Sequence, residues 1–198
     1  MIRRTLLAGG VAALLGATLA PAKAPPGPAK VRVRIDTTVG SMIVALDRAH
    51  APITTGNFLK YVDEKRFIGT AFYRASRAGK DRGLIQGGTR NAANRTLPPI
   101  AHEPTSRTGL RHVTGTISMS REKPGSATGD FFITVGAMPG YDAKGKNLGF
   151  AAFGQVVAGM TTVRRILNAP TTKFSGYEGM RNQMITAPII ITGTTRVP

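Results

Sequence analysis

The 198 residues contain no cysteine and no tryptophan, only three histidines, and 10 acidic side chains against 27 lysines and arginines. Each shortage removes a class of chemistry. Without cysteine there can be no disulfide, no thiolate metal site and no cysteine nucleophile, and the redox compartment leaves no mark on the chain. His50, His102 and His112 show no i,i+4 pairing and no carboxylate at metal-ligand spacing, so all three default to solvated or structural roles. No G-x-S-x-G turn is present to carry a serine nucleophile. The segment GYDAKGKN, Gly140 to Asn147, comes near the phosphate-loop pattern. Asn147 replaces the hydroxyl that would hold magnesium, however, and strand-like FAAFGQVV follows where that motif needs a helix. It reads as a turn-rich loop.

Long apolar runs are also missing, apart from one at the N-terminus. MIRR precedes TLLAGGVAALLGATLA, then PAKAPPGPAK. A basic start, an apolar stretch too short and too glycine-interrupted to span a bilayer, and the small-residue site Ala20-Pro21-Ala22 describe a signal peptide over residues 1–22. The alternative is an uncleaved membrane anchor. Arg3-Arg4 before Thr5-Leu6-Leu7 partly matches a twin-arginine signal. Residues 23–30 form a proline-rich spacer, which leaves 31–198 as one domain. The expected location is periplasmic or secreted, with no stable membrane insertion once the signal is removed.

Hydrophobic content of 41% and charged content of 19% belong to a globular chain. Taking Arg3 and Arg4 from the net +17 leaves +15. Such a balance invites nucleic acid, but the basic residues are scattered and no basic helix or aromatic–glycine RNA-binding pattern accompanies them. The charge reads as a solvated surface suited to acidic partners, with no specific nucleic-acid role.

VRVRIDTT alternates with period two, and the Gly40-Ser41 turn leads into SMIVALD, so the fold opens with a hairpin. HAPITTGNFLKYVDEKRF carries Pro52 in its first turn and an apolar stripe of Ile53, Phe58, Tyr61 and Val62. GMTTVRRILNAP gives a second helix with Met160, Val163, Ile166 and Leu167 on one face, ended by Pro170. TAFYR, GLIQGG, GTISMS, DFFITVG, FAAFGQVV and APIIITGTTRV are β-prone pieces between long loops at 89–112, 120–130 and 136–149. These pieces imply a mainly β fold, a closed antiparallel barrel with two helices over its ends.

HAPITTGNFLKYV, FYR, LIQGG, GTISMS, SATGDFFITVG and FAAFGQVVAGM occur in the order seen in cyclophilins, and the chain resembles that family from about Val31 to Val197. The resemblance implies an eight-stranded antiparallel barrel capped by two α-helices. It also implies peptidyl-prolyl cis–trans isomerase activity on proline-containing polypeptides, by a monomer that uses no cofactor or metal. Arg74 matches the family's catalytic arginine and Gln86 the glutamine that positions it and bonds substrate. Phe132 matches the floor of the proline pocket, with Leu84 and Met119 as walls.

This chain departs from the family around the pocket. Four extra residues lie between Arg74 and Leu84. Gly83 stands where a large aromatic is expected, and Gly140, with Tyr141 beside it, where another usually falls. Tyr73 replaces His, Ser120-Arg121 replaces Ala followed by Asn or Arg, Asp130 replaces Gln, and Phe150 stands in place of His or Tyr. Loss of a Phe-sized wall at Gly83 corresponds to roughly 1.5–3 kcal/mol of apolar contact unless Phe150 or Tyr141 fills the gap. Asp130 is placed either to hold Arg74 or to draw it away.

Overall fold

A computed structural model describes residues 29–173 and 178–198. The signal peptide read at 1–22 lies outside the described residues, as does the spacer as far as Pro28. Among the described residues no helix is long and apolar enough to cross a membrane.

β1 (Lys30–Thr37) and β2 (Gly40–Asp47) form the opening hairpin. Val31, Val33 and Ile35 pair with Leu46, Val44 and Met42, and all six are buried. Directly opposed residues share a face of an antiparallel pair, so period-two alternation produces one sealed side. The reversal is at Thr38-Val39 rather than Gly40-Ser41, because Gly40 already pairs with Thr37.

α1 (Pro52–Asp63) begins with Pro at its first position, where no amide hydrogen is needed. Its next two N–H groups donate to the buried Glu103 carboxylate, Ile53 N at 3.2 Å and Thr54 N at 2.7 Å. A carboxylate here also faces the positive end of the helix dipole. One side chain thus ties the long loop after residue 88 to the helix. Ile53, read as part of the apolar stripe, is 43% exposed, and Thr54 and Thr55 are buried instead. The core face starts a turn later, at Phe58.

The chain continues through β3 (Ala71–Arg77), β4 (Gly83–Gly88), α2 (Thr105–Thr108), β5 (Thr116–Met119), β6 (Phe131–Val135), β7 (Ala151–Ala158), α3 (Met160–Leu167), β8 (Thr171–Thr172) and β9 (Met184–Val197). The sheet runs β1-β2-β7-β5-β6-β4-β3-β9, and β9 pairs back onto β1. Eight antiparallel strands therefore close into a barrel, and β8 is a two-residue appendage on β9. The four-residue α2 adds one helical turn to the two helices read from sequence; TSRT is too short to show a period. Phe58 packs within 5.0–5.3 Å of Phe67, Phe131 and Phe153, joining α1 to the barrel interior. Full burial of each such ring contributes about 1.5–3 kcal/mol.

The residues inserted after Arg74 lengthen a ladder rather than crowd the outer face. Arg77 pairs with Gly83, which leaves only 78–82 as loop, and the Arg77 guanidinium donates to the carbonyls of Leu167 and Ala169 at the end of α3. A Cβ on Gly83 would run into the Ser76 carbonyl oxygen, so this position takes glycine for backbone approach. Near Gly140, Lys144 and Asn147 exchange backbone hydrogen bonds of 2.8 and 3.1 Å, a tight turn and no phosphate loop.

Glu103→Ala should leave two helix N–H groups without their acceptor and cost about 1–3 kcal/mol. Urea unfolding checks this; a loss below about 0.5 kcal/mol, the range of ordinary surface changes, would contradict the capping role.

Candidate active site

Strand register builds a lateral row across four neighbouring strands. Arg74 on β3 lies opposite Gln86 on β4, Gln86 opposite Phe132 on β6, and Phe132 opposite Ser118 on β5. All four therefore share one face of the sheet. The β3 register shifts between Phe72 and Arg74 against both of its neighbours. This bulge leaves Tyr73 unpaired in the ladder, and bulges re-aim side chains. Phe72 enters the core while Tyr73 and Arg74, though adjacent, both reach Gln86.

The Gln86 amide is almost fully used. Its Oε1 accepts from Arg74 Nη1 at 2.8 Å, and its Nε2 donates to the Tyr73 hydroxyl at 2.8 Å and to Ser120 Oγ at 3.0 Å. Arg74 Nε donates to Gln183 Oε1 at 2.8 Å. Held on both sides, the guanidinium keeps Nη2 without a hydrogen-bond partner among the described residues. Burial pulls the Arg74 pKa down, with Tyr141 and Tyr73 acting the other way; a guanidinium nevertheless stays charged at any working pH. Burial, reinforced by Asp130, pushes the Tyr73 phenol well above its usual range, so it acts as a neutral hydroxyl.

Phe132 lies beside this polar group within an aromatic cluster. Tyr141 and Phe150 meet its ring edge-on, with centroids at 5.6 and 5.4 Å, and lie 5.1 Å from each other. These two rings enclose Phe132; Gly83, one residue out of step with Leu84, faces the core side, where an added Cβ would meet Leu167. Leu84, two residues from Gln86, shares its face and is 3% exposed. The Arg121 guanidinium sits 4.9 Å over the Phe150 ring and donates to the Gly149 carbonyl. Met119 is not brought to the site. It pairs with Phe131 and Ala151, one residue out of step with Ser118, and packs in the barrel core.

The profile of the family described as cyclophilin type peptidyl-prolyl cis-trans isomerase/CLD matches residues 31–196. This chain belongs to the cyclophilins. It is 34% identical over 179 residues to the peptidyl-prolyl cis-trans isomerase of Acinetobacter baylyi, covering 88% of this chain and 90% of that protein. It is 31% identical over 170 residues to isomerase B of Escherichia coli, covering 82% and 98%. A cyclophilin of Cryptosporidium parvum shares the fold with a TM-score of 0.67 at 21% identity, over 85% of this chain and 98% of that one. The same protein crystallised in the presence of dipeptide Ala-Pro gives 0.68 at 22%, over 84% and 99%.

Two members of this cyclophilin's site environment had no signal in the sequence. Gln183 precedes β9 and reaches Arg74 because its carbonyl accepts from Ala75 N at 2.8 Å. His112, read as solvated or structural, is structural. It is 1% exposed and stacks on Phe132 with ring centroids 5.8 Å apart. Its Nδ1 lies 2.7 Å from Asp142 Oδ1 and its Nε2 3.0 Å from Ser118 Oγ. Asp130 neither pairs with Arg74 nor competes for it; its carboxylate accepts the Arg90 backbone N–H at 2.8 Å.

Burial lowers the His112 pKa below its ordinary 6.5 by more than Asp142 raises it. The unfolded chain therefore takes up a proton on this ring before the folded chain does. Stability from this group is complete above about pH 6.5 and declines as pH falls through that value. The melting temperature should drop between neutral pH and about pH 5, and His112→Gln should flatten that part of the curve. Parallel curves for wild type and variant would contradict it.

Proposed function

We propose that this protein accelerates cis–trans rotation of X–Pro bonds in polypeptides that fold outside the cytoplasm, with Arg74 and Gln86 as the catalytic pair. Amide rotation faces a barrier of about 18–20 kcal/mol because the nitrogen lone pair is delocalised into the carbonyl. The reaction calls for no nucleophile and no net proton transfer. A donor aimed at the prolyl nitrogen localises the lone pair as the bond twists, while an apolar pocket holds the ring. The observation that carries the reading is the doubly held Arg74 guanidinium beside Phe132, with Nη2 unengaged among the described residues. Such a donor is oriented before substrate arrives, which is how preorganised electrostatics favours a transition state over a ground state.

In this reading Phe132 is the pocket floor, and Leu84, Tyr141 and Phe150 its walls. Gln86 Oε1 accepts from Arg74 and offers its second lone pair to a substrate backbone N–H, with Tyr73 and Ser120 fixing the amide's orientation, and Arg121 borders the Phe150 side. The basic, apolar N-terminal stretch supports export to the periplasm or beyond, followed by action as a monomer. A non-catalytic proline-peptide binder is the competing reading. The absent side chain at Gly83 motivates it, but Tyr141 and Phe150 around Phe132 weigh against it.

Arg74→Ala should lower catalysed exchange of a proline peptide, followed by NMR, by roughly 10²–10³-fold, the cost of removing a preorganised donor. Equal, background-level exchange with both proteins would exclude the enzyme, and peptide binding without exchange would establish the binder.

A further inference from the structure

Two more arginines flank the row on which the proposed chemistry rests. Arg90 holds its guanidinium 5.0 Å over the Tyr73 ring, on the Arg74 side. Arg121 holds its own 4.9 Å over Phe150, on the Phe132 side. Stacking on a ring orders a guanidinium while leaving edge N–H groups able to meet a planar acceptor. Arg121 directs Nε and one terminal nitrogen to the Gly149 carbonyl, which fixes it further.

Arg74, Arg90 and Arg121 have no carboxylate in salt-bridge contact among the described residues. The Asp130 carboxylate accepts the Arg90 backbone N–H and lies within Coulombic reach of the Arg90 side chain, so it offsets part of that charge without forming an ion pair. Asp142 is taken by His112. The result is a pocket whose apolar centre lies between cations, Arg121 half-buried and Arg90 at the exposed edge; charge acts more strongly at the half-buried one than in open water.

From this geometry we propose that the site prefers X–Pro segments carrying a carboxylate close to the proline, with Arg90 and Arg121 as the residues that recognise it. This rests on the isomerase reading of the same site and adds its substrate class: acidic proline-containing segments. A lysine in the same place would meet like charge at both edges, so discrimination arises from repulsion as much as attraction.

The test uses three peptides with one Ala-Pro core flanked on both sides by Glu, Gln or Lys, with affinity and exchange rate both measured by NMR. Affinity should fall in the order Glu, Gln, Lys. The Glu-to-Lys ratio should be about tenfold at low salt, equivalent to ~1.4 kcal/mol. It should shrink to a few-fold at physiological salt, where the screening length is about 8 Å. In Arg90→Gln/Arg121→Gln the ratio should approach one. Arg90 is exposed, so Arg90→Glu offers a variant with little dependence on packing, and it should move the preference toward the Lys peptide. Lys60→Gln removes an equal charge from the exposed side of α1 and should leave the ratio unchanged.

Equal affinity for the Glu and Lys peptides would overturn the proposal. So would a ratio that Lys60→Gln reduces as much as Arg90→Glu does, since net charge alone would then explain it. Preferential binding of the Glu peptide without exchange supports the acid preference and defeats the isomerase reading. Exchange of all three at equal affinity does the reverse. Failure to bind any of the peptides overturns the preference.

Discussion

Gln86 is the side chain on which the arrangement of the outer face depends. Its amide accepts from Arg74 and donates to Tyr73 and Ser120, joining β3, β4 and the end of β5 through one planar group. At 5% exposure it is largely removed from water, and an amide buried without partners costs several times what a satisfied bond contributes. The network is therefore close to all-or-none: satisfied, it fixes the guanidinium; partly satisfied, it destabilises the sheet beneath. Gln183, just before β9, completes the hold, so Arg74 is oriented from both sides of its own strand.

The barrel supplies what this network requires. A closed ring has no free edge along which strands can slip, and register is what sets Arg74, Gln86, Phe132 and Ser118 abreast. The core behind the row is fixed by aromatic contacts, with Phe72 and Phe131 centroids 5.6 Å apart. On the outer side, His112 supports Phe132 through ring stacking and is itself held by Asp142 and Ser118. Polar row and aromatic cluster are thus two halves of one surface, one offering a charged donor and the other an apolar seat. A twisting X–Pro amide needs both at once, with the ring held while the carbonyl side turns.

All eight barrel strands were legible in the chain because period-two alternation and turn residues are local properties. Both major helices were legible for the same reason, and the mainly β barrel with helices over its ends followed from the count. What local pattern cannot convey is parity across a bulge and contact between distant segments. Met119 sits one residue from Ser118 and reads equally well as pocket wall, yet pairing with Phe131 turns it into the core. Ile53 looked like the start of an apolar face, but the Glu103 cap fixes the helix entry and leaves it in solvent. Gln183 is separated from Arg74 by 109 positions, and nothing in its neighbours marks it. Gly83 read as a missing wall; the ladder makes it a backbone requirement, with Tyr141 and Phe150 packed around Phe132. Arg74, Gln86 and Phe132 were found through resemblance to the cyclophilins, and register explains why residues so far apart in sequence meet.

In the proposed mechanism a guanidinium fork, held through two of its nitrogens, delivers the donor to the prolyl nitrogen. Arg74→Lys keeps the positive charge but cannot span Gln86 and Gln183 with a rigid plane. Exchange NMR of a proline peptide with this variant, alongside its binding affinity, separates charge from geometry. Affinity should stay within about threefold of wild type while catalysed exchange falls by at least ~10-fold, or ~1.4 kcal/mol in the barrier. Exchange at the wild-type rate would show that charge alone suffices and would contradict this mechanism.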